Sequence, residues 1–246
     1  MNALAVTNRE GLPVLITNGD TLVGDQQNRV VNSTLLVPPG QLTLPVSCVE
    51  RGRWRPDTRG FALSKSAYPA LRRAKGAQGA MSLRTGARHH ADQGAIWKEV
   101  AERQSAAAVR SSTEALRDLY RHRHDRLTTY VHALPCPPET VGVIVGYGGR
   151  IVSLELLDSP DTLRTYWPRL IRAAALDVLA HEPGAAILLQ RAVRMLHRPQ
   201  KAPTHGFPSP GLGDDLRVTS NGVAGAALLH EGVVIHAALH RVASKA

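Results

Sequence analysis

Apolar and polar residues alternate in the run LTLPVSC, residues 42–48, as they do in a half-buried β-strand. Successive side chains of a strand point to opposite faces, so Cys48 falls on the same face as the apolar positions. A second β-rich run, 30–37, precedes it, and Pro38-Pro39-Gly40 between the two cannot continue a central strand. The pattern predicts an antiparallel hairpin with Cys48 as an inert, buried thiol.

Three further hairpins are predicted where turn residues separate apolar runs. Residues 14–23 surround Asn18-Gly19, a dipeptide that tolerates the positive φ angles of a tight turn. Residues 141–158 are strongly apolar and turn at Tyr147-Gly148-Gly149. The final apolar segment, VAGAALLHEGVVIHAALHR, turns at Glu231-Gly232 and has a similar length and apolar content.

Helices are predicted between these hairpins from capping residues. Asp92 is a suitable N-cap for QGAIWKEVAERQ, and Ser111 precedes a segment with an apolar stripe at helical spacing. The order Ser159-Pro160-Asp161 is typical of a helix start. A further helix is predicted over 185–196, followed by a Pro/Gly-rich linker that ends near Leu212.

These elements predict an α+β fold, in which antiparallel β-hairpins form one or two sheets and a central helical segment packs against them. Three segments are expected: an N-terminal antiparallel β unit over 1–50, a basic irregular arm over 51–90, and an α+β unit with helices and two apolar hairpins over 91–246. A single continuous domain is the alternative, because 246 residues are enough to bury one large core.

Composition points to a cytoplasmic protein with an anionic partner. The chain has two cysteines, no apolar signal core in MNALAVTNRE and no apolar run of membrane-spanning length, so a reducing compartment without a membrane partner is expected. Its net charge of +10 comes mostly from arginine, whose planar fork matches phosphate and carboxylate. A GC-rich genome explains an arginine excess equally well.

Two polar clusters flank the predicted hairpin over 30–48, and antiparallel pairing brings them to the same end of it. A carboxylate, cations, amides and an aromatic ring at one place resemble the lining of a nucleotide pocket. The predicted ligand-binding residues are Gln27, Asn28, Arg29, Arg53, Trp54, Asp92 and Gln93, and the candidate general acid or base is Glu50.

Each residue of this candidate site has a predicted role. Arg29 and Arg53 would hold phosphate, Gln27 and Asn28 would orient the ligand, and Trp54 would stack on it. The alternative interpretation is a structural network of ion pairs and amides that ties the basic segment to the sheet. The sequence does not decide between them, and it leaves open whether any reaction is catalysed.

The spacing of the histidines and the pattern of basic residues bear on metal and nucleic-acid binding. His122 and His124 lie two apart on a predicted helix, which is not the i, i+4 spacing of helical zinc sites, so no metal site is predicted. No cofactor follows from the sequence. In the basic arm, aromatic residues alternate with arginines, as in proteins that bind single-stranded nucleic acid. A solvated basic loop explains that pattern as well.

Four motifs together resemble a known family: LVGDQQNRVVNSTLLVPPG, PVSCVERGRW, ADQGAIWKEV and GGRIVSLELLDSPDTLRTYWP. The chain is similar to the ARG and rhodanese-phosphatase-superfamily-associated protein domain. That resemblance implies an association with ADP-ribosylglycohydrolases and phosphatases, and with NAD or ADP-ribose metabolism, but it supplies no catalytic residue. Family members usually carry further sheet-forming sequence before the segment that matches residues 5–8, and a truncated start would leave an exposed sheet edge there.

The resulting hypothesis is a cytoplasmic protein that binds, and in one version processes, a phosphorylated nucleotide-derived ligand such as an ADP-ribose compound. The rival hypothesis is a non-enzymatic nucleic-acid-binding or protein-interaction scaffold that acts through the basic arm. Oligomeric state does not follow from the sequence.

Overall fold

The computed structural model of the chain describes residues 2–56, 58–75, 92–181, 184–197, 202–220 and 222–242. The strands are β1 (Ala3–Asn8), β2 (Val14–Ile16), β3 (Asp20–Gly24), β4 (Arg29–Val31), β5 (Leu35–Val37), β6 (Gly40–Cys48), β7 (Phe61–Ser66), β8 (Gly142–Tyr147), β9 (Arg150–Leu157), β10 (Thr204–Pro208), β11 (Asp214–Ser220), β12 (Val223–His230) and β13 (Val233–Arg241). The helices are α1 (69–75 within the described residues), α2 (Gln93–Ala106), α3 (Leu116–His122), α4 (His124–Ala133), α5 (Pro160–Val178) and α6 (Leu189–His197).

The predicted α+β class is confirmed, with antiparallel sheets and helices packed on them. A five-stranded sheet has the order β1-β6-β4-β3-β7, and a six-stranded sheet has the order β10-β11-β12-β13-β9-β8. Strands β2 and β5 form a separate pair, and β5 is linked to the loop after β10 through a bridge between Leu36 and Leu212. Helices α2 and α6 pack on β6 and β9, while α5 contacts both large sheets.

Strand pairing near the N-terminus differs from the prediction. The run 30–37 is not one strand: β4 pairs with β6, whereas β5 turns away and pairs with β2. Gly19 does occupy a turn with φ of +95°, but β2 and β3 on either side of it pair with other strands. The reason is tertiary: Asn18 N donates to Thr34 Oγ1 at 3.1 Å, which holds the chain where the run is interrupted.

The two apolar hairpins are confirmed and lie side by side in one sheet. Strands β8 and β9 turn at Gly148-Gly149, and β12 and β13 turn at Glu231-Gly232. Pairing of β13 with β9 joins the hairpins. The predicted linker before Leu212 is wrong in part, because it contains β10, an edge strand that ends at Pro208, a position where the missing N–H of proline is tolerated.

Helix starts agree with the capping residues at two of three places. Asp92 accepts from Gly94 N and Ala95 N at the start of α2, and Ser159 accepts from Thr162 N at the start of α5. The third helix begins later than predicted, at Leu116. Helix α6 likewise begins after residue 185.

The prediction that residues 51–90 form an irregular arm is wrong in part. Residues 61–66 form β7 and residues 69–75 form α1, and the Tyr68 side chain is fully buried. Arg72 and Lys75 are buried as well, because each finds polar partners from distant parts of the chain. Residues 76–90 of the predicted arm lie outside the described residues. Among the helices that the structure describes, none is long and apolar enough to cross a membrane.

Candidate functional site

Pairing of β4 with β6 brings together the two polar clusters that the sequence singled out. Arg29 lies opposite Cys48 in the register, and Asn28 N donates to Glu50 Oε2 at 3.0 Å. The sequence therefore predicted correctly that these residues meet. Their contacts, however, are with one another.

Glu50 is fully buried, and its two carboxylate oxygens accept four hydrogen bonds. Arg53 donates to both oxygens at 3.0 and 2.8 Å, and Thr113 Oγ1 donates to Oε1 at 2.8 Å. Burial alone would raise the pKa of Glu50, but these hydrogen bonds, led by that from Arg53, lower it below its usual range. A buried carboxylate held ionised in this way is an anchor for two loops. The general acid or base role of Glu50 stays a prediction, and the contacts of Glu50 are those of a structural anchor.

The two arginines predicted to hold phosphate are also engaged inside the protein. Besides Glu50, Arg53 donates to Asn28 Oδ1 and to the carbonyl oxygen of Asp25. Arg29 is buried and donates to Gln27 Oε1 at 3.2 Å and to Cys48 Sγ at 2.8 Å. Both guanidinium groups thus have internal partners, and the phosphate role of Arg29 and Arg53 stays a prediction.

The remaining predicted site residues fix the helix α2 or lie apart from the cluster. Gln93 forms a clamp on the Cys48 backbone, accepting from its N–H at 2.8 Å and donating to its carbonyl at 2.7 Å. Asp92 caps α2, and Trp54 is 67% exposed. At this end of the sheet the geometry matches the alternative interpretation, a structural network of ion pairs and amides.

A different place has the geometry of a ligand site. A cavity of about 820 Å³ lies between α1, α2, the β8–β9 turn and the end of β13, which is within the size range of small-molecule pockets. The polar side chains around it are Arg73, Glu99, Arg103, Tyr147, Arg150, His181 and Arg241. None of these is among the ligand-binding residues predicted from the sequence, and Arg73 lies in the predicted basic arm.

The charge of this cavity is strongly positive. The guanidinium groups of Arg73, Arg150 and Arg241 have no hydrogen bond or ion pair to any residue that the structure describes. Arg103 is already neutralised by Asp177 at 2.7 Å, and Glu99, 3.6 Å from Arg103, is the single carboxylate among the described lining residues. Three unpaired arginines around one cavity would attract a phosphate-bearing ligand.

Two smaller cavities adjoin the first and share its walls. One, of about 320 Å³, shares Arg150 and Arg241 with it and adds Arg191 and Arg194 from α6. The other, of about 500 Å³, shares Tyr147 and is bordered by residues 184–187. We refer to the three together as the arginine cleft, with a central, an α6 and a tyrosine lobe.

A buried carboxylate organises the aromatic wall of the cleft. Asp177, fully buried near the end of α5, accepts from Tyr147 Oη at 3.0 Å and from Ala70 N at 3.3 Å. Burial and the adjacent Asp177 charge raise the pKa of Tyr147 well above its ordinary value, so the phenol stays protonated and donates. The rings of Tyr147 and His181 lie 4.6 Å apart, and His181 Nδ1 is 2.8 Å from the Asp177 carbonyl oxygen.

Glycine makes the floor of the tyrosine lobe. Gly148 has φ of +56°, and a Cβ on Gly184 would lie 2.5 Å from Gly148 Cα. The close packing on the β8–β9 turn therefore requires glycine at position 184, whereas Gly148 is favoured by its positive φ. The sequence identified this turn as a hairpin, but nothing local indicated that it borders a cavity.

Comparison with known protein families gives one match for the chain. The sequence model of ARPP-1, the ARG and Rhodanese-Phosphatase-superfamily-associated Protein domain, matches residues 1–240. This chain belongs to the ARPP-1 family. Searches of the curated proteins and of the solved structures gave no significant match.

The ARPP-1 match covers both the predicted polar cluster and nearly all of the arginine cleft, so family membership alone does not choose between them. The burial of the side chains and the partners of the arginines distinguish the two places. The cluster that is denser in sequence is internal, whereas the cleft is assembled from α1, α2, the β8–β9 turn, α6 and β13, which are far apart in sequence.

The ARPP-1 protein also contains a buried polar network between its two sheets. Glu155 on β9 binds Arg72 from α1 through both oxygens and lies 3.0 Å from His236 Nε2. His236 Nδ1 is 2.7 Å from Thr34 Oγ1 in the N-terminal half. Lys75 donates to Asn18 Oδ1 at 3.2 Å and to a backbone carbonyl, and burial together with Arg72 lowers its pKa well below the usual range. The network joins the two sheets.

His240, a buried histidine close enough to Arg72 and Glu155 to feel their charges, should make the protein sensitive to acid. It is buried, neither ring nitrogen has a hydrogen-bond partner among the described residues, and burial and the nearby Arg72 lower its pKa to about 3. The ring thus stays neutral in the folded state while the unfolded state binds a proton below about pH 6.5. Folding stability contributed by neutral His240 is present above that pH and is lost as the pH falls towards 3.

We expect His240→Leu to remove this part of the pH dependence. Chemical unfolding of the native protein and of the variant between pH 7 and pH 4 measures it, the variant showing the shallower decline in free energy of unfolding. An unchanged slope would contradict the assignment of this pH dependence to His240.

Among the residues that the structure describes, no group of three or more His, Cys, Asp or Glu is placed to hold a metal ion.

Proposed function

We propose that this ARPP-1 protein binds a phosphorylated, nucleotide-derived ligand, such as an ADP-ribose compound, in the arginine cleft. The observation that carries the proposal is the set of three unpaired guanidinium groups, of Arg73, Arg150 and Arg241, around a cavity of about 820 Å³. An arginine without an internal carboxylate is available to pair with phosphate through two parallel N–H donors.

The aromatic wall supports a ligand that carries a ring as well as phosphate. Tyr147 lines both the central and the tyrosine lobe, and the hydrogen bond from its hydroxyl to Asp177 fixes its ring. A planar base could stack there while its phosphates reach Arg150 and Arg241. The name of the ARPP-1 family, which associates it with phosphatases, supports a phosphate-bearing ligand.

Isothermal titration calorimetry with ADP-ribose tests this proposal. We expect saturable binding that Arg150→Ala and Arg241→Ala each weaken by about 10- to 100-fold, because each change removes charge-assisted hydrogen bonds worth about 1.5–3 kcal/mol. Arg164→Ala is the matched control: Arg164 is exposed on α5, pairs with Asp161, and does not line the cleft. Its affinity should equal that of the native protein.

Trp54→Ala separates the cleft from the site that the sequence suggested. Because Trp54 does not line the arginine cleft, its loss should leave the affinity for ADP-ribose unchanged. Weaker binding in Trp54→Ala together with unchanged binding in Arg150→Ala would return the ligand to the β4–β6 end. No saturable heat, alongside salt-sensitive retention of an RNA probe, would favour the nucleic-acid scaffold instead.

A further inference from the structure

We infer that the arginine cleft hydrolyses a phosphoric anhydride, with Nε2 of His181 as the general base that activates water. This inference rests on the proposed function, because it requires that a phosphorylated ligand occupy the cleft.

The tautomer of His181 follows from its one hydrogen bond. Its Nδ1 lies 2.8 Å from the carbonyl oxygen of Asp177, and a carbonyl oxygen can only accept. Nδ1 therefore carries the proton in the neutral ring, which leaves the lone pair on Nε2. Within the described residues Nε2 has no partner, and His181 lines both the central and the tyrosine lobe. A histidine oriented through Nδ1 with a free Nε2 is suited to accept a proton from water.

Asp177 and Tyr147 hold the His181 ring in its orientation. Asp177 is buried and accepts from the Tyr147 hydroxyl, and the Tyr147 ring packs against His181 at 4.6 Å. The same residue thus orients the imidazole through its backbone and the phenol through its side chain. A ring that is already fixed in this way loses less conformational entropy when it acts as a base in the reaction.

Two neighbouring lobes lined by arginine favour a ligand with two linked phosphates. Arg150 and Arg241 lie in the wall shared by the central and α6 lobes, Arg73 lines the first and Arg194 the second. Arg194, like Arg73, has no ion pair within the described part of the chain. One phosphate in each lobe would place the bridging oxygen near the shared arginines, where charge develops as the bridge breaks.

The reaction step balances with water as the co-reactant. His181 Nε2 takes one proton from water, the water oxygen forms a new bond to the nearer phosphorus, and the bond from that phosphorus to the bridging oxygen breaks. The electron pair leaves with the second phosphate, and the imidazolium then releases its proton to solvent. Both products are phosphate monoesters or inorganic phosphate.

Leaving-group chemistry selects an anhydride over an ester. A departing phosphate has a second pKa of about 6, so it can leave without being protonated. An alkoxide leaving from an ester would need a general acid. Among the described lining residues, the carboxylate of Glu99 is paired with Arg103 at 3.6 Å, and the Tyr147 hydroxyl already donates its proton to Asp177.

The test follows hydrolysis of ADP-ribose by phosphorus NMR, in buffer that contains Mg²⁺, and measures affinity separately by calorimetry. We expect the native protein to convert the two anhydride signals into the monoester signals of AMP and ribose 5-phosphate. His181→Asn retains a side-chain N–H close to the position of Nδ1 but has no Nε2, so its rate should fall at least 100-fold while its affinity stays within about threefold of native. His122→Asn, an exposed position on α3, is the matched control with native rate.

The outcomes distinguish this inference from the binding proposal. Binding of ADP-ribose without hydrolysis by the native protein would overturn the anhydride activity and leave the binding proposal standing. Hydrolysis at native rate by His181→Asn would overturn the role of His181. No binding of ADP-ribose would overturn both.

Discussion

Replacement of Glu155 by glutamine should lower the free energy of unfolding by about 4 kcal/mol, the largest effect that we expect from a single substitution in this protein. Glu155 is buried on β9 and is the common partner of Arg72 and His236. Glutamine has nearly the same shape but no charge, so the buried guanidinium of Arg72 would lose its counter-ion. An unpaired buried charge is costly because water cannot solvate it.

The pH dependence of the free energy of unfolding is a second test of Glu155. Burial alone would raise the pKa of Glu155, but Arg72 and His236 outweigh burial and lower it to about 2 from an ordinary 4.5. A lowered folded-state pKa contributes stability that is present above about pH 4.5 and is lost as the pH falls towards 2. Glu155→Gln should lack this decline, while the native protein shows it in chemical unfolding.

Glu102→Gln is the matched control for this experiment. Glu102 is exposed on α2 and lies 3.8 Å from Lys98 in an i, i+4 pair, so the same change there should cost less than about 0.5 kcal/mol. Equal losses in Glu155→Gln and Glu102→Gln would show that Glu155 is not the internal counter-ion that the structure places at the junction of the sheets.

Glu50→Gln is expected to lower the free energy of unfolding by about 3 kcal/mol and to leave ligand affinity unchanged. Glu50 is fully buried and accepts from Arg53, Asn28 N and Thr113. A glutamine amide would direct its N–H₂ group at one of these donors, so at least one hydrogen bond would be lost and the charge of Arg53 would be unpaired. Chemical unfolding and calorimetry with ADP-ribose measure the two effects.

Glu114→Gln provides the comparison for Glu50. Glu114 pairs with Arg51 at 3.6 Å on the surface beside the cluster, and we expect its loss to change stability by less than about 0.5 kcal/mol. If Glu50→Gln instead retained native stability and abolished binding, Glu50 would be a ligand-contacting residue, as the sequence alone had suggested.

The contrast between Glu50 and His181 explains why the sequence favoured the polar cluster around Glu50 and did not indicate the arginine cleft. Glu50 stands among amides, arginines and a tryptophan within a short stretch of sequence, and such a density of polar residues predicts a ligand site. Dense polar residues on paired strands can also satisfy one another, and here they do. His181 follows a helix in a stretch with no recognisable motif, and its Nδ1 partner is a backbone carbonyl, which leaves no mark in the sequence.

The sequence by itself determined the features that depend on neighbouring residues: the caps Asp92 and Ser159, the turn at Gly148-Gly149, the two apolar hairpins, the α+β class and membership of the ARPP-1 family. Cap, turn and strand patterns are set by backbone geometry over a few residues, so local sequence is sufficient to predict them. Only the tertiary structure decided which strands pair, which arginines are neutralised and where a cavity opens. Arg72 meets its counter-ion Glu155 from 83 positions away, whereas Arg150 meets none among the described residues, and this difference between two arginines is set by chain packing.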